Sequence, residues 1–566
     1  MKRHGILATV LTISVSLLSL TCPTFGGTID RPDERALLLE ARTAAASIKE
    51  PVARSFALEG IIFAQIRLDP SSRRELLRMF PDLPNKHNNL GSLAFNYAKA
   101  GNIKDTEEIY AEIMKGDRSD RHVRLASANI LGYVAVAYAN AGKLKEAFRI
   151  LAQLKEQFKD EPLAIFGIAT ADIAEAQAQH GDVVGAIEVA KTIAGENPYP
   201  LMSIIGGRVR ANDMPGALQL TSGFEESLQP YAKWGIVTAQ REMGDLKGAQ
   251  TTAGIIKPGH AKASALLELA NHYVKAGENP TALLLLREAA PVSRLTYNNW
   301  TRADIMWRIA ATMANAGDAH GALELAKSIE KDGHRTSAIS DIVKAQAEQA
   351  NFKEALDTAL LLKNVSEGNY YGANAYAEAI AGILAKLTKS GRGKEALEAV
   401  LRFDDLKPQH QSLYCAIADA QADTGDIQGA RSTLSYAETE ELQTNRRKEM
   451  ARLTALLKQR EDFRESRQLS ALEHIDYEIH AAHRAIALAY ARHGSLAEAS
   501  SIAAAQDFTY DKRLLKEIGQ SSAEAGHEIR AIAWARALPS STDKAYALLG
   551  IAQAISVPKS SPAAKQ

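Results

Sequence analysis

The chain has 566 residues in which 67 basic side chains balance 67 acidic ones, and a formal charge of zero argues against a nucleic-acid coat protein. Hydrophobic residues make up 46% and charged residues 24%, which supplies a buried core and excludes both a disordered tail and a multi-span membrane protein. Aromatics are only 6% and alanine is abundant, a composition that favours close helix packing over broad sheet faces.

The chain opens with a short basic start, Met1-Lys2-Arg3-His4, then an apolar run from Ile6 to Leu20 and small residues at Gly26 and Gly27. This order is that of a secretory signal peptide over residues 1–26, which predicts a periplasmic or secreted mature protein. The apolar run is shorter than the roughly 20 residues that span a bilayer, and no later run replaces it, so no transmembrane segment is expected after cleavage. An uncleaved anchor is the alternative. Lipid attachment at Cys22 is disfavoured by Thr21 and Ser19 before it. The mature chain keeps one thiol, Cys415, in the apolar-periodic segment Leu413-Tyr414-Cys415-Ala416-Ile417, where a packed, inert side chain is expected and no internal disulfide can form.

Residues Glu34 to Lys49 predict a leading helix broken by Pro51, with the leading segment set at 34–53 and the repeat region at 54–557. Within that region a unit recurs: an apolar helical stretch, a Gly, often an Asp, and an Ala five residues after the Gly. The turns fall at Gly101, Gly142, Gly181, Gly244, Gly277, Gly317, Gly425, Gly494 and Gly526, with weaker copies at Asn212, Ala350, Gly391 and Glu461. Ala147, Ala186, Ala217, Ala249, Ala282, Ala322, Ala355, Ala396, Ala430, Ala499 and Ala531 hold the offset position. The mean spacing of about 35 residues is that of helical solenoids. Gly ends the first helix in a left-handed conformation, Asp caps the second, and small residues let the two approach closely. Neighbouring pairs must stack to bury their faces, which predicts an all-α, right-handed superhelix of about 13–14 helix-turn-helix repeats with a long concave surface. Residues Lys544 to Val557 are expected to form a final solvating helix and residues 558–566 a loose tail.

These units resemble tetratricopeptide repeats. The family's first-helix pattern stands here as Leu93, Ala94 and Tyr97 before Gly101, Val134, Ala135 and Tyr138 before Gly142, Leu269, Ala270 and Tyr273 before Gly277, and Ile486, Ala487 and Tyr490 before Gly494. The match is degenerate: the family's early Trp is mostly Leu or Ile, its closing Pro is usually missing, and residues 441–470 fit poorly. The stretch Tyr97-Ala98-Lys99-Ala100-Gly101-Asn102-Ile103 also resembles pentatricopeptide repeats.

No nucleophile elbow or nucleotide-binding glycine fingerprint is present, and Gly391-Arg392-Gly393-Lys394 coincides with a repeat turn and lacks the Ser or Thr of a phosphate loop. His527-Glu528 lacks a second His four residues on. His474, His480 and His483 are the best metal candidates because residues three apart share a helix face, but no carboxylate or Cys completes a set and solvated histidines are the simpler reading. Arg446, Arg447 and Lys448 sit among acidic residues, as on a solvated face.

In the family the chain resembles, ligands lie along the first helices. Counting back from the turns places Tyr199, Met202, Arg210, Tyr231, Trp234, Arg241, Glu242, Asn271, Lys275, Asp304, Trp307 and Asn315 on the concave side. Tyr, Trp and Arg so gathered mark a binding hot spot, while the other reading has Trp234 and Trp307 filling gaps between units. The family's carboxylate clamp of Lys and Asn is not reproduced.

The expectation is therefore a non-enzymatic, exported scaffold that holds a peptide or partner helix in its groove, within an envelope or polymer-export assembly, without cofactor, metal or nucleic acid. Two alternatives stay open: a pentatricopeptide-like RNA-binding protein, and a metal-binding or hydrolytic protein using the histidine cluster.

Overall fold

A computed structural model describes residues 33–73, 75–76, 86–114, 121–158, 164–192, 199–365, 374–459, 463–505 and 513–556. Every regular element among the described residues is helical, and none is a strand. The predicted turns are where the backbone becomes left-handed: φ is positive at Gly101, Gly142, Gly181, Gly244, Gly277, Gly317, Gly391, Gly425, Gly494 and Gly526, and also at Asn212 and Ala350. The turn expected at Glu461 lies outside the described residues.

Each turn hands the chain to a capped second helix. The carboxylates of Asp182, Asp213, Asp245, Asp318 and Asp426 accept the backbone N–H of Gly185, Gly216, Gly248, Gly321 and Gly429, at 2.9–3.0 Å. A Cβ on Gly248 would stand 2.0 Å from Asp245 Oδ2, so a cap held this tightly selects glycine three residues on. The offset alanines, Ala147 to Ala531, are fully buried where the two helices of a unit touch.

The first helices are Pro51–Leu68, Lys86–Lys99, Arg121–Asn140, Ala164–Gln179, Tyr199–Arg210, Gln229–Glu242, His260–Lys275, Asn299–Asn315, Asp332–Glu348, Ala375–Leu387, His410–Asp423, Phe463–Arg492, Arg513–Glu524 and Ser541–Ser556. From Lys86–Lys99 on, successive members of this series pack side by side, as Tyr199–Arg210 does on Gln229–Glu242 and Arg513–Glu524 on Ser541–Ser556, and Pro51–Leu68 packs on Ser541–Ser556. Among the described residues, successive second helices do not pack closely along one another, so the stack curves with the first helices on its inner wall.

The two chain ends correct the expected caps. Helix Ser541–Ser556 is not solvated: Ala545, Ala547, Leu548, Ile551 and Ala552 are fully buried between helix Arg513–Glu524 and the leading helix Glu34–Ala46. The leading helix supplies Leu37, Leu38, Ala41 and Ala45 to the same core. Together the ends form one more helix pair, its first helix from the C-terminal end and its second from the N-terminal end. Leu549 reaches across to Gly60, where an added Cβ would lie 3.0 Å from its side chain. Arg536 grips Glu40 on the outside with a forked ion pair, Nη2 to Oε2 at 2.9 Å. The solenoid is thus closed on itself, and each terminal apolar face covers the other instead of meeting water. With the fourteen first helices among the described residues at an interaxial spacing of about 8–10 Å, a circular inner wall would have a perimeter of about 110–140 Å.

The poorly fitting segment is an insertion. Helix Phe463–Arg492 runs 30 residues unbroken, about 45 Å at 1.5 Å per residue. Its later part continues the inner wall, while its earlier part pairs with helix Glu440–Gln459 around a small core of Leu453, Leu472 and Ile475.

Candidate functional site

Where helices Ala164–Gln179, Tyr199–Arg210 and Gln229–Glu242 meet on the inner wall, they leave a hollow of about 500 Å³. Its floor is close helix packing: Met202 is buried, and a Cβ on Gly235 would fall 2.4 Å from the Met202 carbonyl oxygen. Its rim carries Tyr199, 60% exposed, with its ring edge-on to Trp234 at 6.0 Å. Asp172 and Glu175 line it from helix Ala164–Gln179 and Glu242 from helix Gln229–Glu242, and Arg210 crosses to Glu242 with Nη1 2.9 Å from Oε2. Burial pushes the Asp172 carboxyl above its usual range, against the opposing pull of Lys99. A second hollow of about 420 Å³ adjoins it, sharing Glu175, Ser203 and Arg210 and adding Arg208 and Asp213.

Tyr199, Met202 and Arg210 are thus brought together. Trp234 and Arg241 are placed differently: Trp234 is only 9% exposed, and both reach forward to the next unit. Glu268 receives Trp234 Nε1 at 2.8 Å, Thr238 Oγ1 at 2.9 Å and Arg241 Nε at 2.9 Å, so its carboxylate fastens two successive first helices. Two units on the arrangement returns, with Trp307 Nε1 donating to Asp341 Oδ2 at 2.8 Å. Each Trp also meets an imidazole edge-on, Trp234 with His260 at 6.1 Å and Trp307 with His334 at 6.0 Å. Tyr231 is half-buried beside His260, and burial raises its hydroxyl pKa.

The remaining candidates follow along later units. Asn271 Oδ1 accepts the Thr312 hydroxyl at 3.1 Å, Asp304 lies 3.9 Å from Arg308, and Lys275 and Asn315 are exposed near their turns. Counting from turns did not single out Asp172, Glu175, Glu268 or Asp341. The last two share a signal that the sequence does carry: each is an acid 34 residues after a tryptophan.

His474, His480 and His483 do not gather into a metal site. His483 Nε2 is 2.9 Å from Glu438 Oε1, and among the described residues no group of three His, Cys, Asp or Glu could hold an ion. Cys415 is a free, buried thiol whose pKa is pushed far up by burial. No helix among the described residues is long and apolar enough to cross a membrane.

No family model and no curated protein matches the chain. Among solved structures it is similar to the pentatricopeptide repeat protein PPR10 from maize, at 14% identity over 93% of this chain and 86% of that one, with a TM-score of 0.28. It is also similar to a circular tandem repeat protein, at 12% identity over 92% of this chain and 95% of that one, with a TM-score of 0.14. The assignment as an all-helical repeat solenoid therefore rests on the geometry above.

Proposed function

We propose that this protein is an exported, non-enzymatic scaffold of the tetratricopeptide-like kind that holds a segment of a partner protein against its inner wall. The observation that carries this reading is the hollow beneath Tyr199, where an exposed aromatic ring, a part-buried carboxylate at Asp172 and the Arg210–Glu242 pair stand together on closely packed helices. Aromatic and arginine anchors around a preformed hollow are the usual energetic centre of a protein interface. The lining is unsuited to RNA: Asp172, Glu175 and Glu242 would repel a phosphate backbone, which binds instead through basic surfaces. The basic start and apolar run of residues 1–20 support export into the periplasm or beyond.

The test is site-specific crosslinking in living cells. A photoreactive side chain at Tyr199 should capture a partner, whereas one at Val184, 68% exposed on a second helix, should not. Capture that depends on Val184 alone would overturn the inner-wall reading. Fractionation of cells with and without residues 1–26 tests export, and a mature chain retained in the cytoplasm would refute it.

A further inference from the structure

Outside the insertion, each first helix begins and each second helix ends at one edge of the ring, while the left-handed turns occupy the other. The two edges carry different side chains. Among the described residues, Phe56, Tyr199, Tyr297, Trp300 and Tyr436 are exposed aromatics near the first edge, where Ile255 and Leu401 are exposed as well. At the turn edge the exposed large apolar side chains are Val184, Met243 and Ile529, and none is aromatic.

The apolar side chains are densest between helices Asn279–Ser293 and Asn299–Asn315, where Leu295 is 64%, Trp300 63% and Tyr297 99% exposed. Local hydrogen bonds fix this exposure. The N–H groups of Leu295 and Thr296 donate to the Val292 and Ser293 carbonyls, and Asn298 Oδ1 accepts those of Trp300 at 2.8 Å and Thr301 at 3.2 Å. The Trp300 ring stands edge-on to the buried His334 at 4.6 Å, with most of its surface open. From Ala289 to Ala303 the sequence has Arg294 and Arg302 and no acid. Arg302 pairs with Glu330, but Arg294 and, at the next unit's edge, Lys331 are exposed without an ion pair among the described residues.

We propose that this edge of the ring rests on an anionic lipid bilayer, with Leu295, Tyr297 and Trp300 entering the interfacial layer and Arg294 and Lys331 lying among the headgroups. Shape and charge both select lipid. A solenoid whose last helix pairs with its first has no net pitch left, so its edge lies close to a plane, and Phe56, Tyr199, Trp300 and Tyr436 are spread along that edge in different units. A protein partner buries one contiguous patch around pocketed anchors, whereas separate side chains standing on a plane suit a flat, yielding surface. Tryptophan and tyrosine favour the boundary between headgroups and acyl chains because an apolar ring carries one polar group that stays wet. Unpaired basic side chains beside them complement anionic headgroups. The inference goes beyond the scaffold reading and does not depend on it, since an edge seated on lipid leaves the inner wall free.

The experiment is co-sedimentation of residues 27–566 with vesicles of phosphatidylglycerol and phosphatidylcholine in equal parts. Omitting residues 1–26 keeps their apolar run from binding lipid itself and retains every described helix. Saturable binding is expected, with a blue shift of tryptophan emission, because Trp300 is exposed while Trp234, Trp307 and Trp534 are buried or half-buried. Tyr297→Ser with Trp300→Ser should weaken binding about tenfold, and Arg294→Glu or pure phosphatidylcholine severalfold. Ile529→Ser, on the turn edge, should leave it unchanged. Tyr297→Ser alone alters a fully exposed side chain and keeps the test readable should Trp300→Ser disturb His334. No binding up to about 5 mM lipid, binding unaffected by the double change, or an equal loss with Ile529→Ser would overturn the proposal. Paired rings in solution that Tyr297→Ser separates, without vesicle binding, would overturn it too, because a second copy would then cover the edge.

Discussion

Glu268 and Glu478 are both glutamates on inner-wall helices, yet they serve the molecule in opposite ways. Glu268 is saturated by donors from Trp234, Thr238 and Arg241, and it locks one unit to the next. Glu478 has one bonded and one orphaned oxygen, faces a hollow, and is held above its usual pKa by burial. The difference lies in the preceding first helix. Where that helix supplies a tryptophan N–H and a guanidinium, the carboxylate becomes a fastener, and where the donor it supplies is the Ser412 hydroxyl, one carboxylate oxygen stays unbonded. In this wall the same residue type marks either a seam or an opening, depending on which donors face it.

The sharpest way to break this contrast is Glu268→Ala. It would leave the Trp234 N–H, the Thr238 hydroxyl and the Arg241 guanidinium without their shared acceptor, and we expect a loss of about 2–4 kcal/mol. Because units of a repeat protein open locally, the loss should appear as faster hydrogen exchange in helices Gln229–Glu242 and His260–Lys275 before any global change. Unchanged exchange there would show that the seam holds without its carboxylate. Next in size is Ala249→Leu, which forces a larger side chain into a fully buried contact within the same unit, at a cost of about 1–3 kcal/mol in chemical denaturation.

These two changes also separate what the sequence revealed from what it hid. Gly244 and Ala249 were legible because a left-handed turn and a close helix contact each demand one residue type at a fixed offset. The second glycine of the cap, Gly248, obeys an equally strict rule, but its cause is the Asp245 carboxylate folding back over it, which offset counting does not reveal. Register alone put Tyr199, Met202 and Arg210 on one stretch of wall, where they line the same hollow. Register could not tell that Trp234 is claimed by an acid 34 residues later, because it gives the face a side chain occupies and not its partner. Ring closure was hidden for a different reason. It depends on small rotations accumulated over every unit, and the apolar stripe of Ser541–Ser556 gives no sign that helix Glu34–Ala46 will cover it.

A smaller effect of opposite sign sharpens the other side of the comparison. Glu478 has a folded pKa above its unfolded one, so the native state binds more protons between the ordinary value of 4.5 and the raised value, and stability must fall as pH rises through that window. Asp419 and Asp172 act in the same sense. Glu478→Gln should therefore raise the denaturation midpoint above that window, by about 1 kcal/mol or less for a group partly open to solvent, and should flatten the pH dependence. A variant that is less stable at neutral pH would mean that the ionised carboxylate is already compensated by its surroundings.

The smallest effect is expected at the closure. Arg536→Ala removes a forked but exposed ion pair to Glu40, for which about 0–1 kcal/mol is the ordinary range. The seal itself lies beneath that pair, in Leu37, Leu38, Leu548 and Ile551, which are buried and do not depend on charge. Raising the salt concentration should therefore leave the ends joined, as read by the distance between spin labels at positions 39 and 529 on the outer helices. A distance that grows with salt would show that Arg536 and Glu40 hold the ring, and that closure is an electrostatic latch instead of a shared core.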